Sequence, residues 1–350
     1  MERPKSKMES LLKLENVTKI FGGGLFNRHR ITALENFSMT IDAERPSITA
    51  LVGESGSGKT TLARLLLGLT RPTTGRVMYM GKDITTLTRR ERKDFRRNVQ
   101  VIFQDPFEVY NPFYKVDHAL NLPIRKFKLA QSPEEARDLL ENTLRGVGLL
   151  PEDTLGRYPH QLSGGQRQRI MVARALLMRP KVIVADEPVS MIDASLRATV
   201  LENLRELNRD FGISILYITH DLTTAYEISE RIIVLYKGSV AEVGDVESVI
   251  QEPEHPYTRL LIRSIPMADP DQKWLGSHTD QDSPFADTLN VAGCKFANRC
   301  PHAMTVCVET APPYFKTATD RATSCYLYEK SPVVDLKDMT RLPDKSPVTS

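Results

Sequence analysis

Apolar positions along the chain fall into two kinds of run. Residues 48–52, 99–103, 181–185 and 213–218 are short apolar stretches rich in Val and Ile. Stretches of that length without polar alternation predict strands buried on both faces of a parallel sheet. Between them the spacing becomes helical: Leu62, Leu65, Leu66 and Leu69; Leu139, Leu140, Leu144 and Val147 behind a Ser132-Pro133-Glu134-Glu135 start; Ile170, Val172, Ala173, Leu176 and Leu177; Leu196, Val200, Leu204 and Leu207 ahead of Gly212. Alternating strands and helices predict an α/β fold. Residues 11–20 and 31–41 alternate instead, around Phe21-Gly22-Gly23-Gly24, and predict a hairpin or small sheet with an irregular insertion. A turn at residues 71–75 precedes a further strand at 76–80, and charge dominates 82–97, where Leu87, Arg90 and Arg97 suit a solvated helix. Glu91 and Asp94 interrupt its basic face, which argues against nucleic acid there. Residues 115–178 read as a mostly helical insertion, and residues 231–236 and 239–243 complete the expected β content.

Candidate chemistry lies where these runs end. Gly53-Glu54-Ser55-Gly56-Ser57-Gly58-Lys59-Thr60 fits the phosphate-loop pattern G-x-x-x-x-G-K-S/T, between an apolar run and a helical pattern. Its glycines let the backbone curl so that N–H groups face phosphates. Lys59 is then placed for the β- and γ-phosphates and the Thr60 hydroxyl for magnesium. A Gly/Ser turn is the plainer reading. Gln104 ends one buried strand before Asp105-Pro106, at the edge where open α/β sheets meet ligands. Ser163-Gly164-Gly165-Gln166 opens a helix and offers a second anion site, or simply a Ser N-cap followed by glycines. Asp186 and Glu187 end another buried strand, where two adjacent acids are costly without a task or a cation. Strand alternation would send one to each face, Asp186 to magnesium and Glu187 to a water. Asp193 follows in a short loop, and His220 ends a third strand. Phe21 could stack on an adenine ring, or be an ordinary half-buried strand residue.

In this order and spacing, the phosphate loop, Gln104, LSGGQ at 162–166, VIVADEP at 182–188, Asp193 and His220 resemble the ABC-type ATPases over about residues 10–250. GESGSGKT, FQDPFEVYNP at 103–112, HPYTRLL at 255–261 and GCKFANRCPHAM at 293–304 narrow the likeness to the ATP-binding subunits of oligopeptide/dipeptide importers. The resemblance implies a P-loop (RecA-like) core, an antiparallel β subdomain, a helical signature subdomain at about 105–178 and a small Cys-rich C-terminal extension. The implied domains are 1–255, 256–330 and a flexible tail at 331–350. It further implies ATP contacts from Phe21, Gly53, Ser55, Gly56, Ser57, Gly58, Lys59, Thr60 and Thr61. Magnesium would be held through Thr60, Gln104 and Asp186. Glu187 is implied as general base, His220 as γ-phosphate contact and Gln104 as link to the subunit interface. Ser163, Gly164, Gly165 and Gln166 would complete a second chain's site, with Asp193 communicating between sites. The sequence reads Ser190-Met191-Ile192-Asp193 where the family usually has Ser-Ala-Leu-Asp. Implied partners are a second ABC ATPase subunit in a heterodimer, two permease subunits and an extracytoplasmic solute-binding protein, with no nucleic acid.

The remaining features adjust this picture. All four cysteines, Cys294, Cys300, Cys307 and Cys325, lie late in the chain, which excludes a disulfide framework for the whole fold. Their spacing fits neither a zinc ribbon nor the bacterial ferredoxin run, yet four thiols in one short segment favour a shared metal centre in a reducing compartment. The family resemblance implies a 4Fe–4S cluster, with zinc or unliganded, redox-active thiols as alternatives. The 47 Lys and Arg against 44 Asp and Glu leave a balanced +3. Neither an 18-residue apolar run nor a signal-peptide core is present, so a soluble chain at the cytoplasmic face of the membrane, held by partners, is expected. The solute is open: oligosaccharide or nickel import is the alternative within the family, and a soluble ABC ATPase of DNA repair or translation the alternative outside it. Such soluble proteins commonly carry two cassettes or a long coiled-coil insertion, and this sequence has neither.

Overall fold

The computed structural model describes residues 10–22, 30–42, 45–104, 110–190, 194–265, 283–284 and 292–336. Asp193, residues 105–109 and all but the first six residues of the expected 331–350 tail lie outside them. The chain divides into two compact units, one of Met1–Asp42, Thr49–Asp83 and Thr219–Ser350, the other of Ala43–Ile48 and Ile84–Ile218. The described strands, in chain order, are β1 (Ser10–Gly22), β2 (Arg30–Asp42), β3 (Ile48–Val52), β4 (Thr74–Tyr79), β5 (Lys82–Asp83), β6 (Val99–Ile102), β7 (Val182–Asp186), β8 (Ser214–Thr219), β9 (Arg231–Tyr236), β10 (Ser239–Asp245), β11 (Tyr314–Ala318), β12 (Arg321–Thr323) and β13 (Val333–Val334).

In the first unit, the alternating segments form an antiparallel sheet of order β2-β1-β4-β5. Leu12, Leu14 and Val17 face Ile41, Met39 and Phe37 across β1 and β2, and all six are buried. Apolar cross-strand pairs of this kind hold a register. The pairing slips between Leu14 and Val17, where Asn16 adopts φ 47, a left-handed conformation that Asn tolerates. Elsewhere in the unit β3 runs parallel to β9, with Ala50 beside Ile232 and Val52 beside Val234. β10 pairs antiparallel with both β9 and β12, and β11 with both β12 and β13.

The last three strands correct the expectation that β content ends at residue 243. They are two to five residues long, too short for a periodic signal, and form because β10 offers an edge. One cluster of buried residues contains Ala50, Val52, Ile232, Val234, Tyr236 and Ala241 together with Tyr257, Phe296 and Cys300. Residues beyond 255 therefore share a hydrophobic core with the strands that carry the phosphate loop. A buried carboxylate reinforces that junction. Glu242, wholly inaccessible to solvent, accepts from Arg321 at 2.6 Å and from the Glu254 and His255 N–H groups at 3.1 and 3.0 Å.

In the second unit, β6, β7 and β8 are parallel neighbours, with Ile102 beside Ala185 and Asp186 beside Ile218. Every position of β7 and β8 is buried, as their unbroken apolar runs predict. The helical insertion supplies Val116–Phe127, Pro133–Gly146 and Gly164–Leu176. Ser132 caps the second of these, accepting from the Glu135 N–H at 3.2 Å. The charged segment is a solvated helix, Arg89–Asn98, that buries only Phe95 and starts with a Thr88–Glu91 capping box.

Candidate nucleotide-binding site

The phosphate loop joins β3 to the helix Lys59–Leu66. Gly53, Gly56 and Gly58 have φ of 155°, 78° and 110°, the conformations that glycine reaches without strain. Close approach adds a second reason at two of them: a Cβ on Gly53 would stand 2.1 Å from the Leu235 carbonyl oxygen, and one on Gly58 2.2 Å from that of Ala33. The loop is closed on itself by the Ser57 N–H, which donates to the Glu54 carbonyl at 3.1 Å, and tied to the turn after β9 by the Gly238 N–H, which donates to Ser57 at 2.8 Å. Lys59 is buried, and its ammonium donates to the carbonyls of Gly53 at 2.7 Å and Glu54 at 3.0 Å. The cation thus lies inside the loop's own curl. Ser55, Gly56 and Thr60 are exposed, while Ser57 is buried and Thr61 half-buried.

Two contacts on this loop escape sequence reasoning. The Glu54 N–H donates to the Tyr257 hydroxyl at 2.8 Å, and Arg299 donates to both Glu54 carboxylate oxygens at 3.2 and 3.1 Å. Both residues lie inside motifs quoted above, HPYTRLL and GCKFANRC, but nothing in those runs points to a residue some two hundred positions earlier. In the same unit, His220 is exposed directly after β8, and Asp221 caps the helix Leu222–Ile228, accepting from Thr223 at 2.9 Å. Phe21 is exposed near the end of β1, with the Lys19 ammonium 4.9 Å from its ring centroid. A ring in that setting is open to stacking, and one face already carries a cation.

In the second unit, Gln104 is exposed just past β6 and Asp186 ends β7, so both sit at the carboxyl ends of parallel neighbours. Strand alternation does not set the direction of Glu187. Glu187 lies beyond the strand at φ 47, a left-handed conformation unusual for a non-Gly residue. Backbone bonds hold it there: its N–H donates to Ile218 at 2.8 Å and its carbonyl accepts from the Ser190 N–H and hydroxyl at 3.2 and 3.0 Å. The direction of Glu187 is therefore set by this turn and not by the pleat. Thr60 and Asp186 both offer the hard oxygen donors that magnesium takes.

Ser163 caps the helix Gly164–Leu176 in a capping box: its hydroxyl accepts from the Gln166 N–H at 3.2 Å, and its own N–H donates to the Gln166 side chain at 2.9 Å. The cap and the anion site are thus compatible readings. Gly164 and Gly165 bring their N–H groups to the positive end of the helix dipole, and Ser163 is exposed.

The four cysteines line one small cavity together with His255, Phe296 and Ala297. Burial pushes three of these thiols up, Cys300 to about 11 and Cys325 to about 12, with Cys294 raised as well. Thiolates here would need a cationic group to supply the missing charge. Among the described residues, however, no group of three or more His, Cys, Asp or Glu is arranged to hold a metal ion. The expected zinc alternative does not fit this arrangement, and the expected iron–sulfur cluster has only the shared cavity and the donor chemistry in its favour.

The comparisons with known proteins follow the same lines. Residues 34–190 match the family model for ABC transporters, and residues 241–307 that for the oligopeptide/dipeptide transporter C-terminal region. The chain is 43% identical over 278 residues to a Brucella ovis protein named for peptide import and ATP binding, covering 79% of this chain and 86% of that one. It is 40% identical over 263 residues to the oligopeptide transport ATP-binding protein OppF of Salmonella typhimurium, covering 75% and 78%. Among solved structures, a dimeric ATP-binding cassette in a post-hydrolysis state with ADP and Pi superposes with TM-score 0.59 at 32% identity, over 67% of this chain and 98% of that one. The cassette cbiO1 of Clostridium perfringens gives 0.58 at 26% identity, over 70% and 92%. The chain belongs to the ABC transporter family, among the ATP-binding proteins that carry the oligopeptide/dipeptide transporter C-terminal region.

Proposed function

We propose that this chain is the ATP-binding and ATP-hydrolysing subunit of an importer for oligopeptides or dipeptides. The observation that carries the reading is a phosphate loop with all three glycines at positive φ and a buried Lys59, in one chain with the C-terminal region characteristic of peptide transporters. Lys59 binds the β- and γ-phosphates, and the backbone and hydroxyls of Ser55, Ser57, Thr60 and Thr61 cradle the rest. Phe21 stacks on the adenine. Thr60 and Asp186, with Gln104, would hold the magnesium ion, which supplies charge neutralisation at the γ-phosphate when bound. Glu187 accepts a proton from the attacking water, His220 contacts the γ-phosphate, and Gln104 reports the state of the site to the permease interface.

Ser163, Gly164, Gly165 and Gln166 complete the site of a second ATPase subunit, and Asp193 carries the signal between the two sites. The assembly includes two permeases and a solute-binding protein, and holds this chain at the cytoplasmic face of the membrane. Among the described residues no helix is long and apolar enough to cross it. The cassette is assigned to residues 1–255, the extension to 256–330 and the tail to 331–350.

Glu187→Gln tests the mechanism. It should bind Mg·ATP like the parent, lose hydrolysis by at least about a hundredfold, and accumulate as an ATP-dependent dimer on size exclusion with its partner ATPase. Unchanged turnover would reject Glu187 as the base. The finer reading of the tail, a 4Fe–4S cluster on Cys294, Cys300, Cys307 and Cys325, is supported by the four thiols facing one cavity. Iron and acid-labile sulfide in anaerobically purified chain would establish it, and their absence would discard it.

A further inference from the structure

We infer that Tyr257 and Arg299 are positioning residues for the phosphate loop, acting on Lys59 through Glu54. The peptide bond between Gly53 and Glu54 carries the argument. A trans peptide is planar, so its C=O and N–H point in opposite directions and turn together. At this bond the Gly53 carbonyl accepts from the Lys59 ammonium at 2.7 Å while the Glu54 N–H donates to the Tyr257 hydroxyl at 2.8 Å. Whatever fixes the N–H on the outside of the loop therefore fixes the carbonyl that holds the cation on the inside.

Tyr257 is suited to that task because its ring is packed on several sides. It is wholly buried, packed with its ring centroid 4.4 Å from Tyr236 and 5.6 Å from Phe296. Burial pushes its phenol up, so the hydroxyl stays neutral. Arg299 holds the other end of the same residue, donating to both Glu54 carboxylate oxygens and, at 3.5 Å, to the Tyr236 hydroxyl. The Glu54 carbonyl also accepts from Lys59, at 3.0 Å, so the residue joining the two peptide units that cradle the cation is held by its N–H and by its side chain from the C-terminal region. The loop's curl does not depend on its own glycines alone.

The inference rests on the reading of residues 53–60 as the ATP site, and the measurement separates the two. Equilibrium binding of a fluorescent ATP analogue with magnesium would be followed on the full chain. Lys59→Ala should abolish binding; if it does not, the nucleotide reading itself fails. With that control in hand, Tyr257→Phe, which deletes only the hydroxyl, should weaken binding about three- to tenfold, the range of one hydrogen bond. Glu54→Gln and Arg299→Ala should each weaken it about two- to fivefold, as befits a partly exposed ion pair. The double variant Glu54→Gln/Arg299→Ala should be no weaker than either single one, and Arg299→Lys should recover most of the loss.

In the assembled transporter Tyr257→Phe and Arg299→Ala should raise the KM for ATP and leave kcat at saturation unchanged. Glu54 and Arg299 are both partly exposed, so their variants should keep the parental melting temperature even if Tyr257→Phe lowers it. Binding within error of the parent in both Tyr257→Phe and Arg299→Ala would overturn the inference. So would additive losses in the double variant, which would mark general destabilisation.

Discussion

At the scale of single residues, the phosphate loop depends on where one Cβ or one charge can be placed. Gly56 and Gly58 both have positive φ, yet only Gly58 has a carbonyl oxygen where its Cβ would stand. Gly56→Ala should therefore cost about 1–2 kcal/mol of left-handed strain, whereas Gly58→Ala adds a backbone collision and should cost more, with a larger fall in melting temperature and a loss of nucleotide affinity. The motif requires Gly58 and leaves Gly56 open. Glu187 shows the opposite case, a side chain whose type was legible as a base but whose left-handed backbone was not. Alternation describes strands, and Glu187 has already left one.

At the scale of elements, the helix Gly164–Leu176 combines a structural cap with a candidate anion site on the same residue. Two substitutions separate them. Ser163→Ala removes the cap and should cost about 1 kcal/mol in thermal stability. Ser163→Asp keeps a capping oxygen at the positive end of the dipole, so the melting temperature should hold, but it places a negative charge where the partner's γ-phosphate would arrive. ATP-dependent dimerisation should then be lost on size exclusion; a Ser163→Asp variant that still dimerises would remove Ser163 from the composite site. The Ser163 N-cap was readable in the chain, because it is a local pattern closed within four residues; its reciprocal bond to the Gln166 side chain came with the structure. The strands β11 to β13 were not, because short edge strands take their structure from the partner they find.

At the scale of the whole molecule, the C-terminal region is joined to the cassette strands by a shared core and by the pair Glu242–Arg321, both nearly or wholly buried. A buried pair is weak evidence of net stabilisation, but breaking it is costly. Glu242→Ala leaves the buried guanidinium to the Glu254 carboxylate at 3.5 Å and the Glu252 carbonyl, orphans the Glu254 and His255 N–H groups, and should cost about 3 kcal/mol in denaturant unfolding. Replacing both partners by Met should recover a large part of that loss. If Glu242→Ala is as stable as the parent, the region is attached by its apolar contacts alone.

The sequence by itself determined the α/β class, the phosphate loop, the capped signature helix and the acids at strand ends. All of these are local: strand length, helical period, glycine placement and cap chemistry are written within windows of a few residues. The tertiary structure decided what those windows could not contain. It gathered four dispersed cysteines around one cavity, set the turn that directs Glu187, and brought Tyr257 and Arg299 onto Glu54. Contacts between residues two hundred positions apart arise only from packing. The phosphate loop is therefore read from eight residues but held in shape by others far along the chain.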